Sequence, residues 1–190
     1  MFKGSRRTIA AVAAAVGLGI GSAVWATSAA SAAPSAAAGS AATAAVPECT
    51  SADLAVWVDA TIGNAAAGSV YLPLEFTNIS SHTCFLVGWP GVFATTMQGK
   101  VLGSGAAREP TPARTFVDVA PGGTAHAILR YVDVQIDHTA ACKQTSASLL
   151  SVYPPDQTAA RIAFFSLPVC TVPGRVYLRI YRIEAGLTGL

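Results

Sequence analysis

Apolar and polar residues alternate with a period of two along several short runs of this chain, and no run carries a sustained helical stripe. Over residues 70–77, Val70, Leu72, Leu74 and Phe76 fall on one side, with Tyr71, Pro73, Glu75 and Thr77 on the other. That is the pattern of a strand with one face on a core. Pro73 has no N–H for a ladder, which predicts an edge position or a bulge there. The alternation returns over residues 176–183, where Val176, Leu178 and Ile180 oppose Tyr177, Arg179 and Tyr181. It recurs more weakly over residues 54–61, 115–119, 124–132, 148–153 and 161–167. Turn signals separate the runs: Pro90-Gly91, the glycine-rich 99–105, Pro121-Gly122-Gly123, Pro154-Pro155 and Pro173-Gly174. Pro121 and Gly122 suit the central pair of a type II turn, whose second residue needs positive φ. Roughly seven to nine short strands divided this way predict an all-β fold, an antiparallel β-sandwich of immunoglobulin-like layout, with a barrel as second choice.

The N-terminal end follows a different pattern. Residues 1–32 begin with Lys3, Arg6 and Arg7, continue through an apolar run and finish in small residues, with Ala30-Ser31-Ala32 fitting an export cleavage site. The competing reading is an uncleaved membrane anchor. Its apolar members are mostly alanine and glycine, which enter lipid less favourably than leucine or phenylalanine, so cleavage is the expectation. Arg6-Arg7 also resembles a twin-arginine signal, although general secretion is preferred. Residues 33–47 are almost entirely Ala, Ser, Pro, Gly and Thr. Such a segment lacks the large apolar groups needed to offset ordering entropy, and reads as a flexible tether. The folded domain is expected over residues 48–190, long enough for one proper core.

This division changes what composition means. The 52% hydrophobic content and the positive mean hydropathy of +0.48 are raised by the first 47 residues. Removing Lys3, Arg6 and Arg7 from 12 basic residues leaves 9 against 10 acidic ones, so the net charge moves from +2 to about −1. A charge near neutral argues against nucleic acid as a partner and against membrane attachment after signal cleavage. Arg175, Arg179 and Arg182 form one basic cluster, which reads as a solvated strand edge.

Cys49, Cys84, Cys142 and Cys170 are an even set in a chain that reads as exported, and two disulfides are the default. Three pairings are open. Cys49 with Cys84 and Cys142 with Cys170 are preferred because they close the shorter loops. Zinc is disfavoured, since there is no C-x-x-C pair and the cysteines lie tens of residues apart.

Little else points to chemistry. His82, His126, His138 and Met97 could supply a soft metal site, but their spacing reads as surface histidines, so no metal and no cofactor is expected. No G-x-S-x-G elbow is present for nucleophilic catalysis. Asp137 and His138 are adjacent on an extended chain and point apart. The carboxylates Asp53, Asp59, Glu75, Asp118, Asp133 and Asp156 are scattered. No catalytic residue is assigned. Aromatic residues remain as contact platforms, with Tyr177, Arg179 and Tyr181 on the outward side of the last strand as the best candidate surface. Trp89, close behind Cys84, is expected either to cover that disulfide or to be offered to a partner.

The ordered stretches "AAAGSVYLPLEFTNISSHTCFLVGWPGV", "GSGAAREP", "VAPGGTAHAIL", "CKQTSASLLSVYPPDQ" and "LPVC" resemble those of a family of small secreted actinobacterial domains, the domain of unknown function 4232. The resemblance covers nearly the whole chain from Cys49 onward. It implies a secreted, disulfide-bonded β-sandwich and brings no catalytic residues with it.

Together these readings predict a monomeric, non-enzymatic, extracellular or cell-envelope module that binds a protein or a cell-envelope polymer. Two alternatives stand beside it. One is a secreted protease inhibitor presenting residues 99–112, with Lys100 or Arg108 at the cleavage point. The other is an extracellular copper-binding protein.

Overall fold

The structure, a computed structural model, describes residues 45–133 and 142–187. The expected export signal, most of the expected tether and His138 lie outside the described residues. A single 3₁₀ turn, Ser51–Asp53, precedes eleven strands: β1 Leu54–Val58, β2 Asn64–Ala66, β3 Ser69–Asn78, β4 Cys84–Val87, β5 Gly91–Thr95, β6 Ala107–Arg108, β7 Phe116–Val119, β8 Thr124–Val132, β9 Gln144–Tyr153, β10 Arg161–Cys170 and β11 Leu178–Ala185. One sheet runs β1-β3-β8-β11-β6, with β2 also beside β3, a second runs β10-β9-β5, and β4 pairs with β7. The ladders between named strands are antiparallel except for the short β11–β6 contact. The all-β prediction therefore holds.

Alternation explains the core. Leu54 and Val56 of β1, Leu72, Leu74 and Phe76 of β3, Ala125, Ala127 and Leu129 of β8, and Leu178, Ile180 and Ile183 of β11 are buried. Leu86, Val92, Ala94, Val117, Val119, Leu150, Val152, Ala163, Leu167 and Val169 supply the opposing strands. Each buried valine, leucine, isoleucine or phenylalanine among these contributes about 1.5–3 kcal/mol of apolar burial.

Three local readings change. β3 is not an edge strand, because β1 and β2 lie on one side and β8 on the other. Pro73 is tolerated because β1 ends at Val58 opposite Leu74 and β2 begins at Asn64 opposite Tyr71, leaving Pro73 at the gap between them. Its carbonyl accepts from Asp59 N on that side at 3.0 Å, and the missing N–H faces the same gap. The alternation predicted over residues 176–183 is broken by a bulge, with Tyr181 and Arg182 together opposite Ile128. Ile183 is thereby turned into the core, while Val176, which precedes β11, is exposed. The type II turn forms as predicted: Gly122 has φ +73° and Gly123 N donates to Ala120 O at 2.8 Å.

Both preferred disulfides form, each with Cα atoms 4.9 Å apart. Cys49–Cys84 ties the chain before β1 to the start of β4, and Cys142–Cys170 ties the approach to β9 to the end of β10. In each case the bond joins adjacent segments: Cys49 N donates to Phe85 O at 2.9 Å, and Thr171 N donates to Lys143 O at 3.3 Å. Neither bond crosses between sheets as the immunoglobulin bond does.

Candidate binding surface

The strand registers place Phe93, Ser151 and Ile162 in one row across β5, β9 and β10, and Thr95, Leu149 and Phe164 in the next. These rows face away from the core residues Ala94, Leu150 and Ala163. Phe93 is held edge-on to Tyr153 with centroids 5.9 Å apart. On β10, however, Ile162 is 46% exposed and Phe164 79% exposed. A phenylalanine and an isoleucine two residues apart on a strand share one face, so both present apolar surface together.

β10 also borders β1. A groove of about 370 Å³ between them is lined by Ala55, Val56, Ala160, Arg161 and Ile162. Trp57, next along β1, is exposed on that strand's outward side. One end of the seam is closed by Ser51 Oγ, which donates to Ala159 O at 2.5 Å.

The surface expected from Tyr177, Arg179 and Tyr181 does not form. Tyr177 is only 2% exposed and its hydroxyl donates to Leu102 O at 2.8 Å. Burial pushes that hydroxyl's pKa up to about 12. Arg179 pairs with Glu109 at 3.3 Å, and Tyr181 is half-buried in the bulge. The alternation pattern carries no sign of the bulge, nor of the loop that comes up to meet Tyr177.

Trp89 is half-buried, and its indole N–H donates to Glu109 O at 2.7 Å. Its position is set by the 99–112 segment rather than by the Cys49–Cys84 bond. His82 lies in the turn after β3, which Asn78 organises: its side-chain amide donates to His82 O and Val119 O, both at 2.8 Å, and its Oδ1 accepts from Ser80 N at 2.9 Å.

His126 does point away from Leu129, as alternation requires, but it is buried rather than on the surface. It shares a row with Trp57, Glu75 and Glu184 across β1, β3, β8 and β11. Gly186 O accepts from His126 Nδ1 at 2.6 Å. Glu75 has no exposed surface, and neither carboxylate oxygen has a hydrogen-bond partner. Burial, and then the negative charge of Asp59, push its pKa up to about 7. The nearby Thr77 and Thr124 hydroxyls bond each other at 3.0 Å, and Trp57 Nε1 donates to Thr77 at 3.2 Å, so these polar groups are engaged elsewhere. A buried, unpaired carboxyl on an outward row is the feature that sequence reasoning missed. Its only trace was a charged residue inside an otherwise apolar strand.

Among the described residues no cluster of three His, Cys, Asp or Glu side chains is placed to hold a metal ion. Met97 is exposed in a separate turn. Segment 99–112 lies along the body of the domain: Leu102 N and Ala106 N donate to Ala94 O and Val92 O, and Glu109 N donates to Ile180 O. At Gly103, φ is +69° and a side chain would run into the Cys170 carbonyl, so the second disulfide lies beside this loop. No helix among the described residues is long and apolar enough to cross a membrane.

No curated protein and no solved structure matches the chain. The family model described as domain of unknown function DUF4232 matches residues 49–175, a span that holds both disulfides, the β1–β10 seam and the exposed pair on β10, and the chain therefore belongs to that family.

Proposed function

We propose that this protein is a non-enzymatic binding module, working outside the cytoplasm, that holds a protein or a cell-envelope polymer. The observation that carries this reading is the outward pair Ile162 and Phe164 on β10. Large apolar side chains grouped on a domain surface are favoured where a partner covers them. Two disulfides and an export-type N-terminal segment support the extracellular setting.

Immobilised full-length protein, oxidised, is exposed to solubilised cell-envelope fractions and to secreted protein. Retention of a component is expected, and Phe164→Ser with Ile162→Thr is expected to weaken it by about tenfold or more. If nothing is retained, or if the double variant retains as much as the parent, the reading fails.

A further inference from the structure

The charged and titratable groups around Glu75 give a negative charge on its carboxyl no support. On β8, His126 lies directly opposite, and its Nδ1 is held by Gly186 O at 2.6 Å. Further along that face of β8, Arg130 lies over the Tyr71 ring, 5.7 Å from its centroid, and its Nε donates to Ser69 Oγ at 3.1 Å. On β11, Glu184 stands beyond His126 and pairs with Arg182 at 3.1 Å. Past the end of β1, Asp59 accepts from Thr61 N at 2.8 Å, and its own charge opposes a second one on Glu75. Both Glu75 oxygens are left without a hydrogen-bond partner.

The two cross-strand neighbours of Glu75 are held unequally. Trp57 on β1 and His126 on β8 are both its register partners, so all three side chains leave the same face. Trp57 Nε1 donates to Thr77 Oγ1 at 3.2 Å. Thr77 is two residues beyond Glu75 on that face, so the indole runs diagonally past the carboxyl. His126 is 5% exposed and tightly bonded, whereas Trp57 is 39% exposed and its one polar group makes that single long bond. Such a neutral hydrogen bond contributes about 0.5–1.5 kcal/mol, and an ionised carboxyl buried without partners costs more than that. Moving Trp57 is therefore the cheapest way to bring water to a charged Glu75.

From this geometry we propose that Glu75 and Trp57 form a proton-operated switch: loss of the Glu75 proton releases the indole from Thr77 and admits water to the carboxylate, and protonation closes the pair again. The switch works near neutral pH, because burial and the Asp59 charge push the Glu75 carboxyl up to about 7. Its output is the indole itself. A released tryptophan offers more contact area on the outward side of β1, so this side chain is more available to a partner in alkaline than in mildly acidic surroundings. The switch goes beyond the binding reading and stands without it, since Ile162 and Phe164 lie on β10, in a different sheet.

The test follows the indole N–H signals of full-length, oxidised, isotope-labelled protein by NMR from about pH 5 to about pH 9, a range that brackets the Glu75 titration. The Trp57 signal is identified by its loss in Trp57→Phe. In the parent it is expected to shift with a midpoint at about pH 7, and in Glu75→Gln to stay in place. At about pH 8.5 its exchange with water should run about fivefold or more faster in the parent than in Glu75→Gln, a comparison at one pH that cancels base catalysis. Trp89, whose indole donates to Glu109 O, should not follow. Thr77→Val keeps Glu75 but removes the acceptor, so its Trp57 signal should exchange fast already at about pH 5. A parent signal that does not move, or that moves equally in Glu75→Gln, overturns the proposal. So does a shift of the His126 ring with Trp57 unmoved, because His126 then answers the charge. If Glu75→Gln does not fold, Thr77→Val decides: protection and a pH step equal to the parent's overturn the proposal as well.

Discussion

Replacing Glu75 by Gln tests whether its carboxyl is a stored cost in the fold. The side chain has no exposed surface and no hydrogen-bond partner, and its pKa is pushed from the ordinary 4.5 to about 7. Between those values the folded protein binds more protons than the unfolded chain, so stability falls as pH rises. Stability from this group is fully present below about pH 4.5 and lost above about pH 7. An interval of about 2.5 pH units corresponds to at most about 3.4 kcal/mol. Glu75 lies on an outward row rather than between the sheets, and screening from that side reduces the figure to about 2 kcal/mol. Glu75→Gln removes the charge but keeps the shape. Urea unfolding followed by tryptophan fluorescence from pH 4 to pH 8, disulfides intact, gives both stability curves, and subtracting them cancels Asp59 and the other titrating groups. The variant is expected to match the parent near pH 4, apart from the cost of its own unpaired amide, and to gain about 2 kcal/mol on it by pH 8. Two curves that stay parallel from pH 4 to pH 8 would falsify this account of Glu75.

Two further substitutions address the scaffold. The disulfides close loops of 35 and 28 residues, and chain entropy puts each at about 3.5–4 kcal/mol. Cys142→Ala with Cys170→Ala should lower the midpoint of thermal unfolding by roughly 10–15 °C in calorimetry, and a drop under about 3 °C contradicts that estimate. Gly103→Ala puts a methyl group against the Cys170 carbonyl at positive φ, and should cost about 1–3 kcal/mol in urea unfolding, with an unchanged midpoint counting against the contact.

The legible part of the binding surface was its chemistry, and the hidden part was its placement. Trp57, Ile162 and Phe164 are visible in the sequence as large apolar residues, and nothing local distinguishes Phe164, which is exposed, from Phe76, which is buried. The difference arises because Phe76 faces the opposing strands while Phe164 stands on the outward face of β10, in register with Leu149. Tyr177 shows the reverse error. Alternation put it outside, and the 99–112 segment folded back to bury it through Leu102.

What the sequence alone determined were the properties that depend on neighbours along the chain. These are the strands marked by alternation, the Pro121-Gly122 turn, the even cysteine set and the family to which residues 49–175 belong. Tertiary structure alone decided which strands border which. That choice put Pro73 at the β1–β2 gap, inserted the bulge that redirects Ile183, buried Glu75 without a partner and set β10 alongside β1. The physical reason is that alternation assigns a residue to a face of its own strand, whereas burial, pairing and charge at that face depend on segments tens of residues away that close against it.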